Sequence, residues 1–171
     1  MKDAMISAED ADFYKHKGLD YFGIARAVLL AIKNRGARQG ASTITQQVVK
    51  NLILTPEKSM ARKFQEAMLA RQIEQALSKD EILAIYLNHV YFGHRNYGIE
   101  QAALFYFSVH AKDLSLNQAA TLAGLVQSPE RLSPVKHMKE ATARRNYVLR
   151  QMYEKGHIAE DIYREEIAKD I

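Results

Sequence analysis

The chain contains no cysteine. Disulfides, thiolate nucleophiles and cysteine-based zinc sites are therefore excluded, while a cysteine-free chain suits reducing and oxidising surroundings equally. Proline and glycine are scarce, 3 and 8 among 171 residues, which favours helices over a turn-rich β architecture. Long apolar runs are missing as well: Ala27 to Ile32 falls far short of a membrane-spanning helix. The opening MKDAMISAED has no apolar h-region and does not read as a signal peptide. Either the protein is soluble and cytosolic, or an N-terminal anchor is absent from these residues. Charge of one sign is also lacking. The 24 Lys and Arg against 20 Asp and Glu give a net charge of +4, compatible with an anionic substrate, an anionic membrane surface or nucleic acid.

What is present is ordinary for a globular protein, with 47% hydrophobic and 26% charged residues. The length allows one domain with a real core, or a larger lobe plus a small one. Helical signals run throughout. Met5, Ile6, Glu9 and Phe13 share one face of a helix over Met5 to Phe13, so a carboxylate stands on an apolar stripe. An alternative is a helix N-terminus capped by Ser7, with acids favouring the dipole. Asp20 predicts a cap for a helix to about Arg35, stopped by Gly36. After Ser42, the segment TITQQVVKNLIL places Thr43, Gln47, Lys50 and Asn51 at i, i+4, i+7 and i+8. This polar stripe is either a solvated face or a set of groups chosen to hydrogen-bond a ligand.

Thr55-Pro56 predicts the start of a long helix from about Glu57 to Leu77. On it Glu66 lines up with Ala70, Ile73 and Leu77, a second carboxylate among apolar positions. Arg62 and Lys63 stand at i−4 and i−3 from Glu66, where an ion pair, with Arg62 above all, is the structural alternative. Ser78 with Glu81 and Ser115 with Gln118 are capping boxes. Between them the glycine-punctuated YFGHRNYGI predicts a turn exposing His94, Arg95 and Asn96. Ser128-Pro129 and Ser133-Pro134 bound an irregular loop. Two last helices are expected, from about Lys136 to Glu154 and from about Ala159 to Ala168. No strand or repeat is predicted, and the fold class is all-α.

In order, these motifs resemble the glycosyltransferase domain of bacterial peptidoglycan polymerases, found in monofunctional transglycosylases and bifunctional penicillin-binding proteins. Glu9, Asp10, Phe13, His16 and Gly18 fill an ED-xx-F-xx-H-x-G pattern. Gly40, Ser42, Thr43, Ile44, Thr45, Gln46 and Gln47 fill G-x-STITQQ, continuing into Lys50 and Asn51. Arg62, Lys63 and Glu66 fill RK-xx-E. EILAIYLNHVYFGHRNYGI and LSLNQAATLAGLVQSP supply the remaining two motifs. Ser108-Val109 stands where the family usually has Gly-Lys. Family members also carry a membrane-spanning helix ahead of the first motif.

The resemblance implies a single lysozyme-like helical domain over 1–171, with a larger lobe and a smaller membrane-proximal lobe. It implies a polymerase at the external, periplasmic face of the bacterial cytoplasmic membrane, of the kind targeted by moenomycin. Its partners would be lipid II, the growing glycan strand and the membrane surface. No cofactor is required, and a divalent cation, Mg or Mn, is compatible with the diphosphate. Glu9 is implied as general base and Glu66 as the second acid. Lys50 and Arg62 would clamp the diphosphate, with Asp10, Phe13, His16, Ser42, Thr43, Gln46, Gln47, Asn51 and Lys63 completing the substrate site. Asp10 and His16 fit better as holders of the first motif's shape. A lysozyme-like hydrolase would also pair carboxylates, yet needs no basic stripe. A nucleic-acid binder would cluster its basic residues on one recognition helix, and here they are dispersed among acids.

Overall fold

A computed structural model describes residues 1–33, 42–54 and 59–171. Among these, the elements are α1 (Lys2–Glu9), α2 (Tyr21–Lys33), α3 (Ile44–Leu52), α4 (Met60–Ala76), α5 (Lys79–His89), α6 (Ile99–Phe107), a 3-10 turn (Ala111–Asp113), α7 (Leu116–Leu125), α8 (Met138–Glu154) and α9 (Glu160–Ala168). No strand occurs among the described residues; Tyr91 and Tyr97 form an isolated antiparallel bridge. The all-α expectation holds.

The helix starts follow from short polar side chains satisfying backbone N–H groups that have no intrahelical acceptor. Thr43 and Gln46 cap α3 reciprocally, and Ser115 and Gln118 do the same for α7. At α5 the Ser78 backbone N–H donates to Glu81, and the Glu81 N–H donates to Ser78 Oγ. The predicted start at Thr55-Pro56 lies outside the described residues. As described, α4 begins at Met60, where Ser59 Oγ accepts from the Arg62 N–H at 3.1 Å.

One boundary departs from expectation with consequences for the site. The first helix ends at Glu9 and does not reach Phe13. Asp10 leaves helical geometry with φ −156° and ψ 72°, and the Asp12 backbone carbonyl then accepts from the Lys15 and His16 N–H groups, which makes a turn in place of further helix. Glu9 and Phe13 therefore do not share a helix face. Ser7, the proposed N-cap, is buried inside α1.

The chain divides into two compact units, one of residues 1–11 and 87–171, the other of 12–86. In the first, α7 packs along α8, α1 lies against both, and α9 docks on the same pair. Met5, Phe92, Leu122, Leu125, Val148 and Leu149 fill its core. Buried Arg145 ties the chain's end to that core by donating to the Lys169 carbonyl at 2.8 Å.

In the second unit α3 packs on α4, and Phe13, Ile44, Val49, Ala70, Ile82 and Leu83 are buried. Gly18 makes this packing possible. Its φ is +89°, and a Cβ there would stand 2.9 Å from the Ala70 carbonyl, too close for any other residue. The unit also leaves much apolar surface uncovered. Phe22, Leu29, Ile53, Met60 and Phe64 are all more than half exposed. Among the described residues, no helix is long and apolar enough to cross a membrane.

Candidate active site

The two carboxylates belong to different units. Glu9, in the first, sits in the last turn of α1, where the negative end of the helix dipole opposes its charge. A cation from α8 offsets this: Arg144 Nη2 lies 3.9 Å from Glu9 Oε1, with the two side chains 14% and 13% exposed. Arg144 also donates to the Ala8 carbonyl and lies over the Tyr147 ring. Gly124 on α7 leaves room for its stem, since a Cβ there would come within 2.9 Å of Arg144 Cγ. Glu9 is thus a nearly enclosed carboxylate held beside a guanidinium, a setting for proton transfer shielded from bulk water.

Glu66, in the second unit, is 2% exposed. Its Oε1 pairs with Lys63 Nζ and accepts from Gln46 Nε2 at 3.3 Å. The expected partner was Arg62, and the structure corrects this: among the described residues Lys63, at i−3, is the cation on Glu66. Lys63 also donates to Ser42 Oγ at 3.0 Å. Gln46 is committed at both ends of its amide, because its Oε1 accepts from the Thr43 N–H.

Thr43 leaves the polar stripe that the sequence suggested. It is the N-cap of α3, 2% exposed, and its hydroxyl donates to the Gly18 carbonyl at 2.7 Å. Gln47 remains on the stripe, half-buried, and accepts from the Tyr86 hydroxyl at 2.9 Å. Lys50 and Asn51 are exposed one turn further on. Neither Lys50 nor Arg62 has an acidic partner among the described residues, and the enclosed Nε of Arg62 has no hydrogen-bond partner there. Arg62 stands one turn before the buried Glu66 on α4, and Lys50 lies near the end of α3, the helix that packs on α4.

The remaining predicted positions are interior. Phe13 is fully buried, packed edge-on to Tyr14 and His16. Asp10 is 7% exposed at the end of α1. The His16 side chain is 7% exposed, and its Nδ1 lies 3.9 Å from Glu74 Oε1. Asp10, Phe13, Thr43 and Gln46 are buried, and the His16 side chain is nearly so. Gln47, Lys50, Asn51 and Arg62, with Ser42 and Lys63, keep surface open to a ligand. His94 also differs from expectation: it is half-buried, bonded to Ser133 Oγ at 2.9 Å and stacked on Phe105. Asn96 is half-buried too, with its amide donating to the Gly93 and His94 carbonyls.

Sequence reasoning missed Arg144, Glu74 and Lys79. Arg144 is remote along the chain from Glu9 and carries no local signal. Glu74 and Lys79 are separated by the helix break at Leu77, so no helical spacing links them. Among the described residues, no group of three or more His, Asp or Glu is placed to hold a metal ion.

The transglycosylase family model matches residues 1–153. Penicillin-binding protein 1A of Neisseria flavescens is 49% identical over 158 residues, covering 92% of this chain and 20% of that protein. Penicillin-binding protein 1A of Escherichia coli K12 is 47% identical over 160 residues, covering 94% and 19%. A crystal structure of penicillin-binding protein 1A from Haemophilus influenzae superimposes with a TM-score of 0.54 at 27% identity, over 75% of this chain and 16% of that one. The chain therefore spans about a fifth of the length of the curated relatives it matches. With the helical fold and the ordered motifs, these matches establish that the chain belongs to the transglycosylase family.

Proposed function

We propose that this domain polymerises peptidoglycan glycan chains, moving a growing glycan from its polyprenyl diphosphate to the 4-hydroxyl of lipid II with inversion. Lys50 and Arg62, neither with an acidic partner among the described residues, carry the reading. A leaving diphosphate gains negative charge as the glycosidic bond breaks, and two cations with no acidic partner among the described residues would offset it. Glu9 takes the proton of the attacking hydroxyl as its oxygen bonds the anomeric carbon. Arg144 holds that carboxylate in place. Glu66, the second acid, holds Lys63 and Gln46 and assists departure of the diphosphate by orienting the Lys63 ammonium. Half-buried Gln47 and exposed Asn51, one turn further along the stripe, position sugar or phosphate. Asp10, Phe13, His16 and Thr43 act by holding the motif segments in shape.

The uncovered apolar surface of the second unit supports contact with the bilayer that carries the substrate's lipid tail. This fits action at the external face of the bacterial cytoplasmic membrane, with that unit as the membrane-proximal lobe. The reaction as proposed requires no cofactor, and a divalent cation at the diphosphate is compatible with it.

A lysozyme-like hydrolase is the second reading, and the cations disfavour it, because a finished glycan has no diphosphate to neutralise. Purified lipid II in detergent or liposomes distinguishes the two. Glycan chains of increasing length are expected, with release of polyprenyl diphosphate. Cleavage of finished glycan with no product from lipid II would overturn the proposal in favour of the hydrolase.

A further inference from the structure

Another enclosed carboxylate, Glu74 in the last turn of α4, is used by none of the chemistry above. Its side chain is 5% exposed. A single oxygen, Oε1, accepts from Thr45 Oγ1 at 2.5 Å and from Lys79 Nζ at 2.6 Å. The Lys79 ammonium lies 3.4 Å from His16 Nδ1 and 4.4 Å from the centroid of the Phe13 ring. Its three N–H directions thus find a carboxylate, an imidazole nitrogen and an aromatic face, which satisfies a charge whose side chain is only 18% exposed. An ammonium facing Nδ1 requires that nitrogen to accept.

Four segments meet around this ion pair: the motif loop with Phe13 and His16, the first turn of α3 at Thr45, the end of α4, and the start of α5 at Lys79. A buried ion pair is a poor source of stability compared with well-packed apolar residues. What it supplies is fixed geometry, because each bond holds in one orientation only. Thr45 is fully buried, and the helix it anchors carries Lys50 and Asn51 at its exposed end.

We propose that Glu74 and Lys79 are a positioning pair that sets the rotation of α3 and thereby aims Lys50 at the substrate diphosphate. The inference rests on the assignment of Lys50 in the proposed function. Thr45 is the link through which the pair acts.

Two variants test it, Glu74→Gln and Thr45→Val, the second leaving Glu74, Lys79 and His16 in place should the first fold poorly. Amide hydrogen exchange across α3 is measured, together with affinity for a short polyprenyl diphosphate, each variant alone and combined with Lys50→Met. Both variants are expected to speed exchange over α3 and to weaken binding by about tenfold, the scale of a lost charge-assisted hydrogen bond. Combined with Lys50→Met, they should weaken binding less than about twofold further, because the aim of an absent ammonium no longer matters. A merely structural role would instead give losses that multiply. Multiplying losses, unchanged α3 exchange, or parental affinity in both variants would overturn the proposal. Equal binding by the parent and Lys50→Met would remove Lys50 from the diphosphate site, a failure of the underlying reading. The exchange data would still decide whether Glu74 fixes α3.

Discussion

Replacing Glu66 by Gln separates chemistry from architecture. Gln keeps the shape and can still accept from Gln46, but it removes the charge that faces Lys63. Breaking a fully buried pair costs about 3–5 kcal/mol. Here the Lys63 side chain is 47% exposed, so its ammonium regains water, and about 1–2 kcal/mol is the better figure. For a chain of this size that lowers the melting temperature by about 2–8 °C. Such a change leaves nearly all molecules folded at an assay temperature well below the transition. The loss of glycan formation at saturating lipid II should nevertheless be at least about 100-fold, or about 2.7 kcal/mol of barrier. Thermal melts by circular dichroism and chain-length gels on one preparation measure both. Full activity in a folded Gln variant would refute the role of Glu66. A fall in melting temperature beyond about 15 °C would show that the charge chiefly holds the fold together.

Glu9→Gln should melt close to the parent and polymerise about two to four orders of magnitude more slowly; equal rates at saturation would remove Glu9 as the base. Gly18→Ala should cost about 3 kcal/mol through left-handed strain and crowding against Ala70, read as a drop of about 6–12 °C in melting temperature. His110 is raised above its ordinary pKa of 6.5 by its hydrogen bond to Glu100, and Glu100 is lowered below 4.5 by the same bond. The stability from raised His110 is complete below its ordinary value and lost as pH rises through the folded one. That from lowered Glu100 is complete above its ordinary value and lost as pH falls through the folded one. The pair is therefore at its best between, and an NMR titration of His110 should move back towards 6.5 in Glu100→Gln. Finally, with a net charge of +4, the chain should float with anionic liposomes at low salt and less so at high salt. No flotation at low salt would deny this surface a membrane role.

The helical class and most helix starts were legible in local sequence, because caps act within three or four residues of where they are written. Ser78 with Glu81 and Ser115 with Gln118 behave in the structure as their spacing says. Glu66 was legible as a carboxylate on an apolar stripe for the same reason, since helix periodicity places it beside Ala70. Periodicity failed at Glu9, where the backbone leaves helical geometry at Asp10 and turns at Asp12, so the helix stops before Phe13. It failed again at Thr43, which looked like one more polar group on a stripe and proved to be the cap itself. What only the tertiary structure decided is which charges meet. Arg144 reaches Glu9 because α8 packs on α1, and Glu74 gathers Thr45, Lys79 and His16 from segments with no helical spacing in common. The sequence alone determined which residues could bear charge in the interior. Packing chose their partners, because a buried charge is tolerated only where a distant element brings it a counterpart.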